Sequence, residues 1–353
     1  MTARGEPLPA SESSRLAWVD AAKGMSILLV VAHHSVAFLQ GSGLVPSAVV
    51  AANTALASMR MPLFFLASGL FVAGPLAASW RTLLHKRVAL FLYLYLLWTL
   101  LRFAFFQIPA VDAADPYHTS DPVTTLALAL VLPGSLTWFL YALALYAVIC
   151  KLIRRVPVWL QLSAAGVLSA LAGAEVVEFE SGPWTRIARY FFFFILGWHA
   201  PRLAQRVAAS SSLVKVVAAA AGCVALAAVA VALDLQPVPG VALALNIAAV
   251  TFGVLFAAWI SRYRVGRPLV ALGRQTLPVY LLHIFWLAAV MVGLQYLDVP
   301  VVAAYLLPAV MAVVLTVLSL VTHRLLVRAH APWLFALPSR LAYRPPAPAV
   351  PAP

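Results

Sequence analysis

Two histidines, a lysine and an aspartate open the first long apolar run, in Asp20-Ala-Ala-Lys23-Gly-Met-Ser-Ile-Leu-Leu-Val-Val-Ala-His33-His34. Lys23 and His34 are eleven residues apart, which on a helix is three turns plus about 20°. They share one face, roughly 16 Å apart along the axis, and Asp20 lies on the same side three residues before the lysine. His33 points about 100° away from His34. If the run crosses a bilayer, His34 sits near the midplane, where an ionisable group is costly and functional by default.

Other ionisable groups stand equally deep. Arg60 lies mid-run in Met59-Arg-Met-Pro-Leu-Phe-Phe-Leu-Ala-Ser-Gly69, and a buried guanidinium needs a partner, a wet cavity or a charged ligand. The plainer alternative is a structural pair with a carbonyl or carboxylate. His283 falls two or three turns into another run, Leu272-Gly-Arg-Gln-Thr-Leu-Pro278-Val-Tyr280-Leu-Leu-His283. Pro278 there predicts a kink lining a cavity, although a lone helix histidine is often just a hydrogen-bonded core residue. Arg186 and Arg189 sit at one mouth of a run, as interfacial anchors or substrate contacts. Arg102 is expected to snorkel outward. Trp138 and Tyr141 either line the same cavity or pack as an aromatic belt. His33, His85, His199, His323 and His330 are expected to be structural or solvated.

The motifs of nucleotide hydrolysis (GxxxxGK[ST]), zincins (HExxH) and the hydrolase elbow (GxSxG) are missing. His33 and His34 diverge on a helix, so no metal site is expected.

These residues must be positioned by membrane helices. The 353 residues are 64% hydrophobic and only 10% charged, too few charges to cover a soluble fold, so the class is an all-α polytopic membrane protein. No secretory signal is evident. Cys150 and Cys223 both fall in apolar runs and make neither a disulfide framework nor a zinc spacing. The +13 balance is scattered among loops and reads as topology, with no nucleic-acid partner.

About ten spans are expected, at roughly 22–43, 49–74, 88–107, 136–153, 157–174, 185–202, 212–233, 239–260, 275–297 and 301–327. Residues 123–133 are too short to cross and read as a re-entrant or interfacial helix. The spans form one membrane domain over 15–330, between a disordered polar amino end, 1–14, and a Pro-rich cytoplasmic tail, 331–353. All but four of the 24 Lys and Arg fall in one alternating set of segments, the exceptions being Arg60, Arg102, Arg186 and Arg189. The opposite set holds Asp112, Asp115, Asp121, Glu175, Glu178, Glu180, Asp234 and Asp298. Both termini are therefore expected to be cytoplasmic.

With these residues in place the chain resembles the acyltransferase 3 family of integral-membrane O-acyltransferases. The family's acid, then basic residue, ten residues and histidine is matched by Asp20, Lys23 and His34, with Lys where Arg is commoner. Met61-Pro-Leu-Phe-Phe-Leu-Ala-Ser68-Gly69, the basic His85-Lys86-Arg87, Trp138-Phe-Leu, Phe191-Phe-Phe-Phe-Ile-Leu-Gly197 and Leu272-Gly273…Tyr280-Leu-Leu-His283 follow in order. The Arg60-Met-Pro-Leu-Phe-Phe wording is closest to the fucose acetylase-like branch.

The resemblance implies transfer of an acyl group, usually acetyl, from cytoplasmic acyl-CoA as co-substrate to a hydroxyl of an extracytoplasmic glycan or lipid-linked sugar. It places the protein among the lipids of a bacterial plasma membrane, with no bound cofactor. His34 would take the hydroxyl proton as base, directly or through an acyl-histidine relay. Arg60 or His283 would stabilise the thioester oxyanion. Lys23, Lys86 and Arg87 would bind the CoA phosphates, with Asp20, Ser68, Trp138, Tyr280 and Arg189 in support. The rival from another class is a transporter or flippase for an anionic or sugar-bearing solute, which midmembrane His and Arg residues also suit.

Overall fold

Apolar runs of this length satisfy every backbone N–H and C=O internally only as helices. A computed structural model describes residues 10–115, 123–134, 136–179, 182–297 and 300–338, and these form helices and short connections, with no strand among them. The expected outer acids Asp121, Glu180 and Asp298 lie outside the described residues, as do residues 1–9 and the tail from 339.

The principal helices are α1 Ala10–Gly41, α2 Ser47–Ala55, α3 Ala57–Gly69, α4 Trp80–Phe106, α5 Val123–Leu128, α6 Trp138–Ile153, α7 Val158–Gly173, α8 Gly182–His199, α9 Leu213–Ala232, α10 Val241–Ile260, α11 Arg267–Gly273, α12 Thr276–Leu294 and α13 Val301–Arg328. The first begins at Ala10, inside the segment expected to be disordered. Seven candidate spans are long and apolar enough to cross a membrane: the Ala17–Gly41 part of α1, α2 with α3, α4, α9, α10, α12 and α13. The protein is thus a multi-pass membrane protein. α6 and α7 are shorter apolar helices, and α8 carries Arg186 and Arg189 in its first half.

Local chemistry marks the boundaries. Pro46, Pro157 and Pro300 stand at the N-caps of α2, α7 and α13, and the Ser212 hydroxyl caps α9 by accepting from the Lys215 N–H. Gly240, at φ +97°, turns the chain into α10. Pro278 falls in the first turn of α12, where a missing N–H breaks no helix bond. The kink expected at Pro278 is instead a break between α11 and α12 at Gln275. A second break, at Leu56, separates α2 from α3.

Lipid offers no hydrophobic drive between helices, so close backbone approach at small residues dominates the packing. A Cβ on Gly273 would lie 1.7 Å from the Asp20 carbonyl oxygen, and one on Gly24 would lie 2.0 Å from that of Leu269. Gly69 and Gly197 face each other in the same way across α3 and α8, at 2.1 Å from Phe194 O and 2.3 Å from Leu66 O. The Gly residues of three sequence motifs therefore serve helix contact. Of the most apolar stretch of α1, 61% is buried, against 11% for α9, so α1 is central and α9 peripheral.

The side-chain contacts also give helix senses. Asp20 meets Arg274 and His34 meets His283, so α1 and α12 run the same way. Phe65 stacks on Tyr190 while Gly69 abuts Phe194, so α3 and α8 agree. Trp138 lies by Arg186 and Tyr146 by Phe191 and Phe194, so α6 and α8 agree too. Gln161 with His199 and Ser169 with Arg189 set α7 against α8.

Between α5 and α6 the backbone is irregular, yet it is satisfied. The carbonyls of Ala129, Leu130 and Val131 accept from Tyr95 Oη (2.6 Å), Tyr141 Oη (3.0 Å) and Trp184 Nε1 (2.9 Å). Three helices thus pin three successive carbonyls, which is how non-helical chain survives within a bundle. Arg102 is buried with its guanidinium over the Phe106 ring, so it does not snorkel outward as expected.

Candidate active site

His34 and His283 are brought together: His34 Nδ1 and His283 Nε2 are 2.8 Å apart. The other nitrogen of His283, Nδ1, lies 2.9 Å from the Val279 carbonyl. A carbonyl can only accept, so His283 Nδ1 carries the proton, and in the neutral ring Nε2 is the acceptor. His34 Nδ1 must then be the donor, which leaves the Nε2 lone pair of His34 free. His283 is buried at 2% exposure, whereas His34 remains partly exposed. His34 lies seven residues from Gly41, about 10 Å from that end of α1. It is thus off the centre of the Ala17–Gly41 stretch.

His33 is not idle. Asn53 Nδ2 lies 3.1 Å from His33 Nδ1, and Arg60 Nη1 donates to Asn53 Oδ1 (2.9 Å) and to the Asn53 carbonyl (3.3 Å). The guanidinium can only donate, so it fixes the Asn53 amide with oxygen toward Arg60 and nitrogen toward His33. Neutral His33 therefore carries its proton on Nε2. Arg60 is 7% exposed and has no carboxylate partner among the described residues. Its pairing is with one neutral residue through one nitrogen. The His33 and His34 rings are 5.2 Å apart and those of His34 and His283 are 5.1 Å apart. With one nitrogen of His33 spent on Asn53 and the facing nitrogens of the other pair spent on each other, the three rings form a row rather than a metal cage.

An aromatic cluster reaches this row through Tyr280. The Arg186 guanidinium lies over the Trp138 indole at 5.4 Å, and Trp138 stacks on Tyr190 at 6.3 Å. Phe65 on α3 packs against both rings. Tyr280 stands 6.4 Å from His283, donates its hydroxyl proton to the Leu136 carbonyl (2.7 Å) and accepts from the Phe139 N–H (3.3 Å). It therefore fixes the entry into α6, and with it Trp138.

At the other end of α1, Asp20 is shared. Lys23 Nζ lies 2.9 Å from one oxygen, and Arg274 Nε donates to the other at 3.1 Å. Lys86 and Arg87 fall in a π-helical turn, Leu84–Val88, within α4, and among the described residues neither pairs with Asp20, the carboxylate that Lys23 and Arg274 share. Arg87 packs over Phe91. Two expected supporting residues have their hydrogen bonds elsewhere. Ser68 bonds back to the Phe64 carbonyl at 2.8 Å, and Arg189 donates to the Gly173 carbonyl at the end of α7 (2.9 Å).

Asn53, Tyr190 and Arg274 escape a reading of the sequence alone. Asn53 precedes Arg60 by seven residues, which on an unbroken helix would be two turns on one face, but the chain breaks at Leu56 between them. Tyr190 and Arg274 reach the site only through the pairing of distant helices.

A family model described as an acyltransferase domain matches residues 16–323, from the amino-terminal helix to the last. No curated protein and no solved structure matches the chain.

Proposed function

The chain belongs to the acyltransferase 3 family and is a membrane acyltransferase, and from that premise we propose that it moves an acetyl group from acyl-CoA to a hydroxyl of an extracytoplasmic or lipid-linked glycan. The observation that carries this reading is the free Nε2 of His34, oriented by the bond from Nδ1 to His283. The acceptor hydroxyl gives its proton to His34 Nε2 as its oxygen attacks the thioester carbonyl carbon. The carbon–sulfur bond then breaks, and the imidazolium returns the proton to the leaving thiolate, giving ester and free thiol. His283 acts as the acceptor that holds the His34 tautomer rather than as an oxyanion donor, because its own N–H is spent on Val279. Arg60 supplies positive charge for the oxyanion. Lys23, Lys86 and Arg87, with Arg274 added, bind the nucleotide phosphates as charge-assisted donors. The Arg60-Met-Pro-Leu-Phe-Phe wording supports a sugar acceptor of the fucose acetylase-like kind.

Purified protein given labelled acetyl-CoA and a crude glycan or lipid-linked sugar fraction should release free CoA and label the acceptor. Counterflow of solute without thioester turnover would favour transport instead. Acetyl-pantetheine, which lacks the nucleotide phosphates, should be used with a raised KM, since uniform binding is what it loses. Equal KM values for the two donors would remove the phosphate-binding role of the basic residues.

The proposed topology is ten spans in a bacterial plasma membrane with both termini cytoplasmic. If only the seven long candidates crossed, α12 would be the sixth and would run against α1. The two helices run the same way, which favours an odd number of further crossings before α12, and α6, α7 and α8 supply three. In a variant lacking Cys150 and Cys223, Glu178→Cys and Asp234→Cys should label with impermeant maleimide in intact cells. Leu84→Cys and Val265→Cys should not, and labelling of that second pair from outside overturns the topology.

A further inference from the structure

Arg186 has no hydrogen bond or carboxylate partner among the described residues, and its contact is the face of Trp138. It is exposed. Its guanidinium lies over an indole that is itself 8% exposed and stacked on Tyr190, and the next residue along, Phe139, packs on Tyr280, which stands 6.4 Å from His283. Trp138 thus links Arg186, through the adjacent Phe139 and then Tyr280, to the histidine row. Arg60 reaches His33 from α3 through Asn53, and Phe65, on the same helix, packs against both Trp138 and Tyr190. Two cations without a carboxylate partner among the described residues, Arg60 and Arg186, are thus tied to the histidine row through neutral side chains. Within a membrane bundle charged groups ordinarily pair with one another, and cations left without acids mark a place for a charged ligand. An arginine whose fork is free and whose face rests on an aromatic ring is pre-set to meet a planar or tetrahedral oxyanion.

We propose that Arg186 binds an anionic group carried by the acceptor, a sugar phosphate or a sugar carboxylate, beside the free Nε2 of His34. The Trp138 and Tyr190 rings would form the apolar wall against which the sugar lies. This rests on the acyl-transfer reading for the word acceptor, but the site itself is testable without turnover.

The test uses the full chain in detergent and in phosphatidylcholine nanodiscs, with glucose 1-phosphate, glucuronate and neutral methyl glucoside as probes. Parent protein should bind the better anionic probe roughly tenfold or more tightly than the glucoside, as expected of a charge-assisted contact out of bulk water. Whichever anion binds tighter identifies phosphate or carboxylate as the group recognised. Arg186→Gln should abolish that preference, and Arg186→Lys should restore part of it, which separates charge from packing. Equal binding of all three probes by the parent, or an unchanged preference in Arg186→Gln, overturns the proposal. Loss of the preference when phosphatidylglycerol is added to the discs would assign the site to a lipid headgroup, and displacement of glucose 1-phosphate by coenzyme A would assign it to the donor. Either result also overturns it. Should the anion preference hold while acetyl-CoA is never turned over, the acyl-transfer reading fails and the site stands. Turnover with neutral and anionic acceptors at equal efficiency has the opposite consequence: acyl transfer stands and the anion site fails.

Discussion

His34→Ala is expected to lower kcat for acyl transfer by on the order of 10²–10⁴-fold, the usual worth of a positioned general base, while the protein remains folded and binds CoA. The expectation follows from the nitrogen count in the site. His283 is tied to Val279 by one nitrogen and to His34 by the other, so the free lone pair of that pair belongs to His34. Alanine removes that lone pair and leaves His283 Nε2 as an acceptor without a donor. His283→Ala should cost less, because His34 keeps its base nitrogen and loses only the group that selects its tautomer. Its signature is a changed pH profile of kcat rather than abolition. His33→Ala should also cost less than His34→Ala, since its Nδ1 is held by Asn53. The check is single-turnover transfer from labelled acetyl-CoA by variants shown to be inserted and to retain the parent Tm. Retention of activity within a few-fold by a folded His34→Ala protein would remove it as the base. Should His283→Ala equal the His34 variant in its loss, the two act as one unit, as groups sharing a proton path do.

Which parts of this site the sequence can announce depends on distance along the chain. Lys23 and His34 lie on one helix, and Asp20 with Lys23 is an i,i+3 pair, so period alone orders them. Each long apolar run becomes a helix, because in a membrane length and hydropathy decide the matter. His283 can be singled out as an ionisable group at depth, but its pairing with His34 spans 249 residues and is settled by where Gly24 and Gly273 let two helices touch. The same holds for Arg186 over Trp138, from different helices. Pro278 misleads for a local reason: a proline signals a kink only when a full turn of helix precedes it, and here α12 starts two residues earlier. Arg102 misleads because snorkelling presumes a lipid-facing side chain, whereas its side of α4 is buried.

Arg60→Gln is expected to cost on the order of 10²–10³-fold in kcat, the usual loss when one charged or hydrogen-bonding stabiliser of a developing oxyanion is removed. A structural arginine and a functional one differ in what their removal does to stability. When a buried ion pair loses one member, an unpaired charge stays behind and the protein is strongly destabilised. Arg60 has no carboxylate to strand among the described residues: its partners are the two oxygens of Asn53. Glutamine keeps an N–H₂ donor for those oxygens and discards a charge that was costly to bury, so Tm should hold or rise as kcat falls. That opposition is expected where activity depends on a group the fold would be better without. Arg60→Lys should recover part of kcat as a point charge, while its shorter side chain holds the Asn53 amide and, through it, His33 less firmly. Asn53→Ala adds the decisive comparison. It leaves the Arg60 charge in place while releasing its hold, so it should reduce kcat less than Arg60→Gln does, with KM for acetyl-CoA little changed. A fall in Tm in Arg60→Gln that accounts for the whole loss of activity would return Arg60 to a purely structural role and leave the oxyanion without its proposed charge.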